Sequence, residues 1–310
     1  MTSRVAFVIL AHNDAPKIRR LIGALGDSDV FLHCDRNTAD HVARSMVPNA
    51  ASRVRWVPRR RTTLATWSLV DAELAGLSMA VETTQATHVA VLSGSCYPLV
   101  SMRQLTDELS GWQGLSRLEL NRLPYPNWST ARFRDGGLWR ANRRFLEWRG
   151  QLLTIRNRPV PTFRRRVPPE LSLYGSSQWK IYARGHARAL LELLSATPSL
   201  RSFWQTTYVP EELCVASLLK SPDLVGPIAE QVIDDLPWFI RWPASGPTSH
   251  PDWLGGSDFD ALRSARAAPA PDPSRQIDPR ERPTLRKLFA RKIGSASSDL
   301  LDQIDDELRA

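Results

Sequence analysis

The segment Tyr208-Val209-Pro210-Glu211-Glu212-Leu213 places two carboxylates at the predicted start of a helix. Proline suits the first helical position, and the apolar residues after it continue a helical pattern. Glu212 would share a helical face with Val215 and Leu219, so we expect it to lean toward packed protein or a cleft. A carboxylate there could remove a proton. The alternative is a glutamate that only complements the helix dipole.

The positive charge of the chain is concentrated in one section. Its 310 residues include 41 Lys plus Arg and 32 Asp plus Glu, a net charge of +9. Residues 117–166 contain thirteen Arg, no Lys and three acids, which accounts for the whole excess. Such a surface suggests phosphates, an anionic polymer or an anionic membrane face, and a solvated loop is an equally weighted alternative.

The cysteines and the first apolar run indicate the class of protein. Cys34, Cys96 and Cys214 are far apart and each lies in or beside an apolar run, which is typical of reduced, buried thiols in a cytosolic protein. The run at 5–11 is too short to span a membrane and predicts a first buried strand. We therefore expect a cytoplasmic protein without an N-terminal membrane anchor, and one domain over residues 1–310.

Apolar runs alternate with amphipathic stretches in the first ninety-odd residues. The pattern predicts a doubly wound, mostly parallel α/β sheet. Residues 121–172 have no clean period, so we predict irregular structure with short helices there. The Pro-, Ala- and Arg-rich run that begins at residue 265 predicts a mobile loop, and 298–309 predicts a terminal helix.

Polar residues follow several of the predicted strands. In an open parallel sheet, ligands bind beyond the carboxyl ends of the strands, where His12, Asp35 and Ser93 lie. Asp35 could accept hydrogen bonds from a ribose or a base edge. An Asx turn that ends the strand is about equally plausible.

Several common catalytic motifs are missing from the sequence. There is no G-x-G-x-x-G, no P-loop and no G-x-S-x-G element. Of the two Asp-x-Asp matches, the one at 27–29 precedes its strand and the one at 258–260 resembles a helix cap. The six His are scattered without ligand spacing, so we predict no metal and no other cofactor. Cys96 is interpreted as a packed thiol rather than a nucleophile.

Eight short segments, taken in order, resemble the core-2/I-branching β-1,6-N-acetylglucosaminyltransferase family, which includes the peptide O-xylosyltransferases. They are Val8-Ile9-Leu10-Ala11-His12, Phe31-Leu32-His33-Cys34-Asp35, Ala65-Thr66-Trp67-Ser68, Leu92-Ser93-Gly94-Ser95-Cys96-Tyr97-Pro98, Leu118-Glu119 through Pro124, Tyr174-Gly175-Ser176-Ser177-Gln178-Trp179, Val209-Pro210-Glu211-Glu212 and Leu288-Phe289-Ala290-Arg291-Lys292. The resemblance implies a GT-A type, Rossmann-like fold and a bacterial, inverting, metal-independent glycosyltransferase. It implies transfer from a UDP-sugar, GlcNAc first and xylose next, to a glycan, glycolipid or small-molecule hydroxyl.

The resemblance also assigns roles residue by residue. Glu212 matches the catalytic base, with Glu211 in place of the usual Asp. Lys292, with neighbouring Arg291, matches the diphosphate ligand, and fixed cations are what a leaving diphosphate needs where no metal neutralises it. The remaining assignments are Ala11, His12, Asp35 and Leu64 on the donor side, and Ser93, Glu119 and Trp242 on the acceptor side.

The sequence departs from the family pattern at four places, one of which is a long insertion at 265–287 that interrupts the usual approach to the Lys292 segment. Cys96 stands where bacterial relatives usually carry Asp, and Leu64 stands where the family has a Tyr near the nucleotide. A second basic diphosphate ligand has no clear match around 249–251, where His250, Arg286 or Arg291 could substitute.

These assignments divide the single domain into functional parts. We expect a nucleotide-binding half at 1–115, an acceptor and catalytic half at 116–264, a mobile loop at 265–287, and a UDP-clamp segment with a helix at 288–310. The 117–166 arginines could hold the enzyme at the inner face of a membrane. The alternatives are a polyanion or nucleic-acid binding protein, with Trp128, Trp139 and Trp148 stacking on bases, and an inactive sugar-binding relative. Nucleic acid is not the expected partner.

Overall fold

The computed structural model describes residues 4–48, 52–148, 150–156, 158–243 and 250–310. The strands are β1 (Val5–Ala11), β2 (Val30–Cys34), β3 (Val54–Trp56), β4 (His88–Ser93), β5 (Tyr97–Pro98), β6 (Ser116–Leu118), β7 (Asn121–Arg122), β8 (Arg143–Phe145), β9 (Glu147–Trp148), β10 (Gln151–Leu152), β11 (Thr154–Ile155), β12 (Arg158–Pro159), β13 (Pro161–Arg164), β14 (Tyr174–Gly175), β15 (Ile181–Ala183), β16 (Val232–Asp234), β17 (Trp238–Ile240) and β18 (Phe289–Arg291). The helices are α1 (Ala15–Ala24), α2 (Asp40–Ser45), α3 (Trp67–Thr83), α4 (Met102–Ser110), α5 (Arg184–Ala196), α6 (Pro198–Gln205), α7 (Cys214–Leu219), α8 (Pro222–Val225), α9 (Phe259–Ala267) and α10 (Ser298–Gln303). Among the described residues, no helix has both the length and the apolar character that a bilayer crossing requires.

A seven-stranded sheet forms the centre of the fold, in the order β16-β6-β15-β4-β1-β2-β3. Strand β1 is parallel to both β2 and β4, and β2 is parallel to β3. Only β15 runs antiparallel to its neighbours, β4 and β6. The predicted α/β class with a mostly parallel sheet is therefore confirmed, and the carboxyl ends of β1, β2 and β4 meet at one edge.

Local sequence fixes where the helices beside this edge begin. Asp14 caps α1 and accepts a hydrogen bond from Lys17 N, and Pro16 lies in the first turn of that helix. Thr66 caps α3 through Ser68 N. Because α1 and α3 both begin at the carboxyl edge of the sheet, their N-terminal turns border the same space as the ends of the strands.

A second, three-stranded sheet joins the C-terminal segment to the central sheet. Strand β18 lies between β17, to which it is parallel, and β5, to which it is antiparallel. Ile293 N donates to Ser95 O (2.9 Å), and Leu254 N donates to Lys292 O (2.8 Å). Ser295 N donates to Asp14 Oδ2 at 2.9 Å. These bonds hold the residues that follow β18 against Ser95 in the loop after β4, against Leu254, and against Asp14 at the start of α1.

The structure corrects two expectations of local structure. Residues 121–172 contain the two short 3₁₀ helices Pro126–Trp128 and Leu138–Arg140, as expected, but also short antiparallel strands, from β7 to β13, that were not predicted. Strands of two to four residues are too short to show a period. The helix expected from Pro210 begins at Cys214 instead, because Pro210–Glu212 form a 3₁₀ turn first.

The segment 265–287, predicted as a mobile loop, is anchored by several buried side chains. Its first three residues complete α9. Ile277, Arg282, Leu285 and Lys287 are all buried. Lys287 Nζ donates to Leu236 O (2.8 Å) and Arg282 O (2.7 Å). The contacts tie the segment to the body of the protein, and its mobility, like the proposed division into functional parts, stays a prediction.

Gly76 lies where α3 packs on β1, and this close approach generates a stability prediction. A Cβ added at Gly76 would lie 2.4 Å from Val8 Cγ1, and Val8 is β-branched and fully buried. We expect Gly76→Ala to lower the free energy of unfolding by roughly 1–3 kcal/mol through overpacking. Gly23 occupies an exposed position of α1, where an added Cβ would have no heavy atom within 4 Å. Gly23→Ala should therefore raise the free energy of unfolding by roughly 0.5–1 kcal/mol. Denaturant unfolding of both variants is the measurement, and equal effects of both substitutions would contradict this packing.

Candidate functional site

A cleft of about 690 Å³ opens at the carboxyl edge of the central sheet. Seven of the predicted site residues line this cleft: Ala11, His12, Asp35, Leu64, Ser93, Arg291 and Lys292. Three others, Glu119, Glu212 and Trp242, are not among its lining residues. The structure therefore brings the predicted donor-side residues together and leaves most of the predicted acceptor side, with Glu212, outside this space.

Asp35 is the carboxylate at the floor of the cleft. Its Oδ1 accepts a hydrogen bond from Asn37 N (2.6 Å), and its Oδ2 accepts one from Thr62 N (2.7 Å) and one from Thr62 Oγ1. Burial alone would raise the pKa of Asp35, but the hydrogen bonds from Thr62 and Asn37 outweigh it and lower that pKa. The Asx turn considered from sequence is present. An ionised carboxylate that also faces the cleft keeps lone pairs for a ligand hydroxyl or N–H.

Arg291 and Lys292 supply two positive charges to the cleft. The guanidinium of Arg291 stacks on Trp179, 4.4 Å from the ring centroid, and Lys292 Nζ lies 5.6 Å from that of Trp253. Within the described part of the chain, neither cation has a carboxylate within 4.0 Å. Desolvation lowers the pKa of both residues, and Arg291 lowers the pKa of Lys292 further. An anion in the cleft would relieve this strain between like charges.

Two buried donors on the cleft lack a hydrogen-bond partner among the described residues. They are Arg291 Nε and Gln178 Nε2. A buried donor without a partner costs free energy, so it is expected to find one in the functional state. Both donors and the two cations favour a ligand rich in acceptor oxygens and negative charge.

Glu212 lies beside the cleft, within electrostatic reach of it. Its side chain is 40% exposed, and Oε2 pairs with Arg140 Nη1 at 3.2 Å. Partial burial raises the pKa of Glu212, Arg140 opposes that shift, and the charge of Glu119 adds to it. Glu212 also acts electrostatically on Arg291. The carboxylate is thus a solvent-reachable base, and its negative charge is felt by a cation of the cleft.

Glu211 has a different role from Glu212 because it is buried. Glu211 Oε1 accepts a hydrogen bond from Ala65 N (2.9 Å), and Val209 N donates to Ala65 O (3.3 Å). Ala65 and Val209 both have positive φ (64° and 52°), a conformation that costs about 1–3 kcal/mol for such residues. Burial, with the nearby charge of Glu212, raises the pKa of Glu211 to about 8. Glu211 therefore joins the loop beside Leu64 to the turn that carries Glu212.

Glu119 is engaged by a residue of the 265–287 segment. Arg282 Nη1 lies 3.3 Å from Glu119 Oε1 and 3.4 Å from Asp234 Oδ1. Arg282 Nη2 also donates to Asn121 Oδ1 at 2.8 Å. Burial raises the pKa of Asp234 to about 7, with Arg282 opposing the shift. Arg282 gave no signal in the sequence, because Glu119 and Asn121 are more than 150 positions away along the chain and Asp234 is 48 positions away.

The tryptophans near the candidate site lie in different surroundings. Trp242 is exposed and lies outside the lining of the cleft, whereas Trp253, which was not predicted, lines it. Trp139 is buried and stacks on Phe133 and Tyr208, with ring centroids 4.6 and 5.1 Å apart. Trp128 lies under the guanidinium of Arg140, 4.1 Å from its ring centroid. Trp128 therefore helps to position the partner of Glu212.

The remaining candidates occupy separate positions. His250 lines the cleft; desolvation, then Lys292 and Arg291, lower its pKa. Arg286 faces another surface and pairs with Glu108 at 3.5 Å. Cys96 is fully buried, with its Sγ 3.2 Å from Ser93 Oγ. Ser249 lies outside the described residues. Across the residues that the structure describes, no three His, Cys, Asp or Glu side chains form a group that could hold a metal ion.

An open, mostly parallel sheet with a polar, cationic cleft at its carboxyl edge is typical of enzymes that bind phosphorylated ligands. Residues 5–251 match the profile of the family described as "Branch: Core-2/I-Branching enzyme". The chain belongs to this family, and its α/β fold with a mostly parallel central sheet agrees with the GT-A expectation that the family resemblance carries. Membership supports a glycosyltransferase that uses a nucleotide-sugar donor and a sugar acceptor.

Similarity to individual proteins is low. HddC from Yersinia pseudotuberculosis is 12% identical, with a TM-score of 0.28, over 59% of this chain and 78% of that chain. The galactosyltransferase LgtC, in complex with donor and acceptor sugar analogs, is 9% identical, with a TM-score of 0.40, over 96% of this chain and 95% of that chain. No curated protein matches. At these TM-scores, similarity to the solved structures does not indicate the function of this protein.

The raised pKa of Glu211 predicts a specific pH dependence of stability. Its folded pKa of about 8 exceeds its ordinary value of 4.5, so the folded state binds more protons between these pH values. The contribution of Glu211 to stability is therefore full at low pH and is lost as pH rises through about 8. Glu211→Gln stays neutral and keeps an acceptor for Ala65 N. We expect its free energy of unfolding, relative to wild type, to increase by on the order of 2 kcal/mol across this window.

Denaturant unfolding at several pH values measures this difference. Glu192→Gln, on an exposed position of α5, is the matched control and should give a flat difference. A flat difference for Glu211→Gln as well would show that Glu211 is not held in its protonated form.

Proposed function

We propose that this protein is an inverting, metal-independent glycosyltransferase that moves a sugar from a UDP-sugar to a hydroxyl of a glycan, glycolipid or small molecule. GlcNAc is the first candidate sugar and xylose the next, as the family resemblance implies. The observation that carries the proposal is the cleft with two cations, Arg291 and Lys292, that lack carboxylate partners among the described residues. The accessible carboxylate of Glu212 lies within electrostatic range of that cleft.

The donor side of the proposal assigns a group to each end of UDP. The diphosphate would lie against Arg291 and Lys292, where Arg291 Nε and Gln178 Nε2 gain the acceptors that they lack. The ribose or uracil would lie at Asp35, whose ionised carboxylate accepts hydrogen bonds. Leu64, exposed at the cleft, offers an apolar contact where relatives carry a Tyr.

The transfer step then needs one base and one cationic site. The acceptor hydroxyl oxygen forms a bond to the anomeric carbon on the face opposite UDP, and its proton passes to Glu212. The bond between the anomeric carbon and the diphosphate oxygen breaks, and its electron pair leaves with UDP. Arg291 and Lys292 stabilise the negative charge that gathers on the diphosphate. Glu119, within electrostatic range of Glu212, is proposed to bind the acceptor sugar, as is Ser93.

Trp242, Ala11 and His12 keep their proposed roles as binding residues. Trp253 joins them as a further aromatic surface on the cleft. The three cysteines are buried and unpaired, which supports a reducing, cytoplasmic site of action. We also propose peripheral contact with a membrane through the arginine-rich 117–166 range, in which Arg149 and Asn157 lie outside the described residues.

Replacing Glu212 with Gln tests the assigned base. The amide cannot accept the proton, so we expect the rate of sugar transfer, assayed with EDTA present, to fall by about 10²–10⁴-fold while UDP affinity stays within about threefold. Glu192→Gln is the matched control. In the wild type, the acid limb of the kcat/KM profile should lie above the ordinary glutamate pKa of 4.5, because burial raises the pKa of Glu212.

Full transfer by Glu212→Gln would refute the assigned base. Wild-type protein that binds UDP but transfers no sugar would favour an inactive sugar-binding relative. Loss of wild-type activity in EDTA, restored by a divalent cation, would contradict metal independence.

Replacing Lys292 with Met tests the diphosphate site. The apolar side chain keeps much of the contact with Trp253 but removes one positive charge, so we expect the Kd for UDP to rise by roughly 10–100-fold, with little change for uridine. Calorimetric titration of both ligands measures the difference. Arg103→Gln, on an exposed part of α4, is the control for loss of one charge. Equal effects of Lys292→Met on UDP and uridine would place the diphosphate elsewhere.

A further inference from the structure

The described residues of 143–164, within the arginine-rich section, form a short antiparallel arm. Strand β9 pairs with β10, and β11 pairs with β12. Leu153 N donates to Leu146 O (2.9 Å), and Val160 N donates to Leu153 O (3.1 Å). The base of the arm is closed by pairing of β8 with β13. The arm is thus a three-stranded meander with Leu153 in its middle strand.

One face of this arm is apolar and exposed. Residues directly opposite each other in antiparallel strands point to the same side, as do residues two apart in one strand. The register therefore places four apolar side chains on one face, beside the polar Gln151 that pairs with Trp148: Leu146 (45% exposed), Trp148 (68%), Leu153 (44%) and Ile155 (67%). A contiguous exposed apolar patch of this kind marks an interaction site.

Arginines border the same face. Arg144 is two residues before Leu146, so it lies on the apolar side and is exposed. Arg132 and Arg156, also exposed, line a hollow of about 440 Å³ together with Ile155, Pro159 and Val160.

The arm's acid does not neutralise these arginines. Glu147, the acidic residue of the arm, points to the opposite side of its strand. It accepts a hydrogen bond from the backbone N–H of Trp67. The described residues of the apolar face therefore combine apolar side chains with unneutralised positive charge.

We propose that this face of the arm docks on an anionic lipid bilayer. Trp148, Leu153 and Ile155 would enter the interfacial region, where amphipathic aromatic rings are favoured, and the arginines would meet lipid phosphates. A second copy of the chain fits less well, because a two-fold contact would bring the two sets of arginines together. A nucleic acid would match the arginines but leave the aliphatic side chains without a stacking partner.

The arm is attached beside the mouth of the cleft. Thr63 Oγ1 donates to Gly150 O at 2.7 Å, and both neighbours of Thr63, Thr62 and Leu64, line the cleft. A bilayer bound to the arm would therefore lie close to the cleft. This juxtaposition, which rests on the proposed function, favours a lipid-linked acceptor whose hydroxyl is presented at the membrane surface.

Vesicle sedimentation with the full chain tests the proposal. We expect binding to vesicles of equal phosphatidylcholine and phosphatidylglycerol, weakened by salt, and little binding to phosphatidylcholine alone. The combined variant Trp148→Ser, Leu153→Ser, Ile155→Ser should lower the partition coefficient roughly tenfold or more. Arg144→Gln with Arg156→Gln should lower it by about thirtyfold. Trp56→Ser, an exposed tryptophan on the edge strand β3, is the control and should bind as wild type does.

The apolar variant should keep wild-type UDP affinity, because its three residues lie outside the cleft. That readout separates failure of docking from failure of the proposed function. Failure of the wild-type protein to bind anionic vesicles would overturn the proposal. Equal binding by the wild type and the apolar variant would also overturn it. Full competition of an oligonucleotide with the vesicles would overturn it too, because the face would then bind nucleic acid. Self-association of the wild type that is lost in the apolar variant would instead indicate a contact between copies of the chain.

Discussion

Two positive charges held next to each other without a carboxylate partner among the described residues are the constraint on which the rest of the structure depends. Arg291 and Lys292 are placed by β18, which reaches the cleft because it pairs with β5 and β17. Desolvation lowers the pKa of both, and the charge of Arg291 lowers the pKa of Lys292 further. Such an arrangement is unfavourable in the empty protein and becomes favourable when an anion enters. Relief of this electrostatic cost on binding therefore contributes to the affinity for a phosphorylated ligand.

Two acids near this charge, Glu211 and Glu212, lie in one short turn. Glu211 is buried and fastens the 209–212 turn to Ala65, and Ser176 N donates to Glu212 O at 2.7 Å. Those contacts fix the backbone of Glu212, while its side chain pairs with Arg140. The raised pKa of Glu212 makes its carboxylate a stronger base than that of an ordinary glutamate. Glu212 lies within electrostatic range of Arg291, which is consistent with the base and the cationic site of the proposed transfer.

The sequence predicted the parts of the fold that depend on local pattern. Long apolar runs such as 5–11 and 87–92 predicted the parallel sheet, and the order of the short motifs predicted the family. It did not predict the arm, because strands of two residues carry no period. Nor could it predict that Arg282 meets Glu119, or that Trp253 rather than Trp242 lines the cleft. Those placements are set by long-range packing, which acts between segments with no shared local pattern.

A crystal structure of the protein with UDP bound tests the central claim most directly. The account predicts diphosphate oxygens within hydrogen-bond distance of Lys292 Nζ and of Arg291, with the ribose or uracil beside Asp35. It also predicts that Gln178 Nε2 acquires an acceptor and that Glu212 faces the vacant acceptor side. A diphosphate bound away from both cations, or a nucleotide on a different face of the sheet, would contradict it.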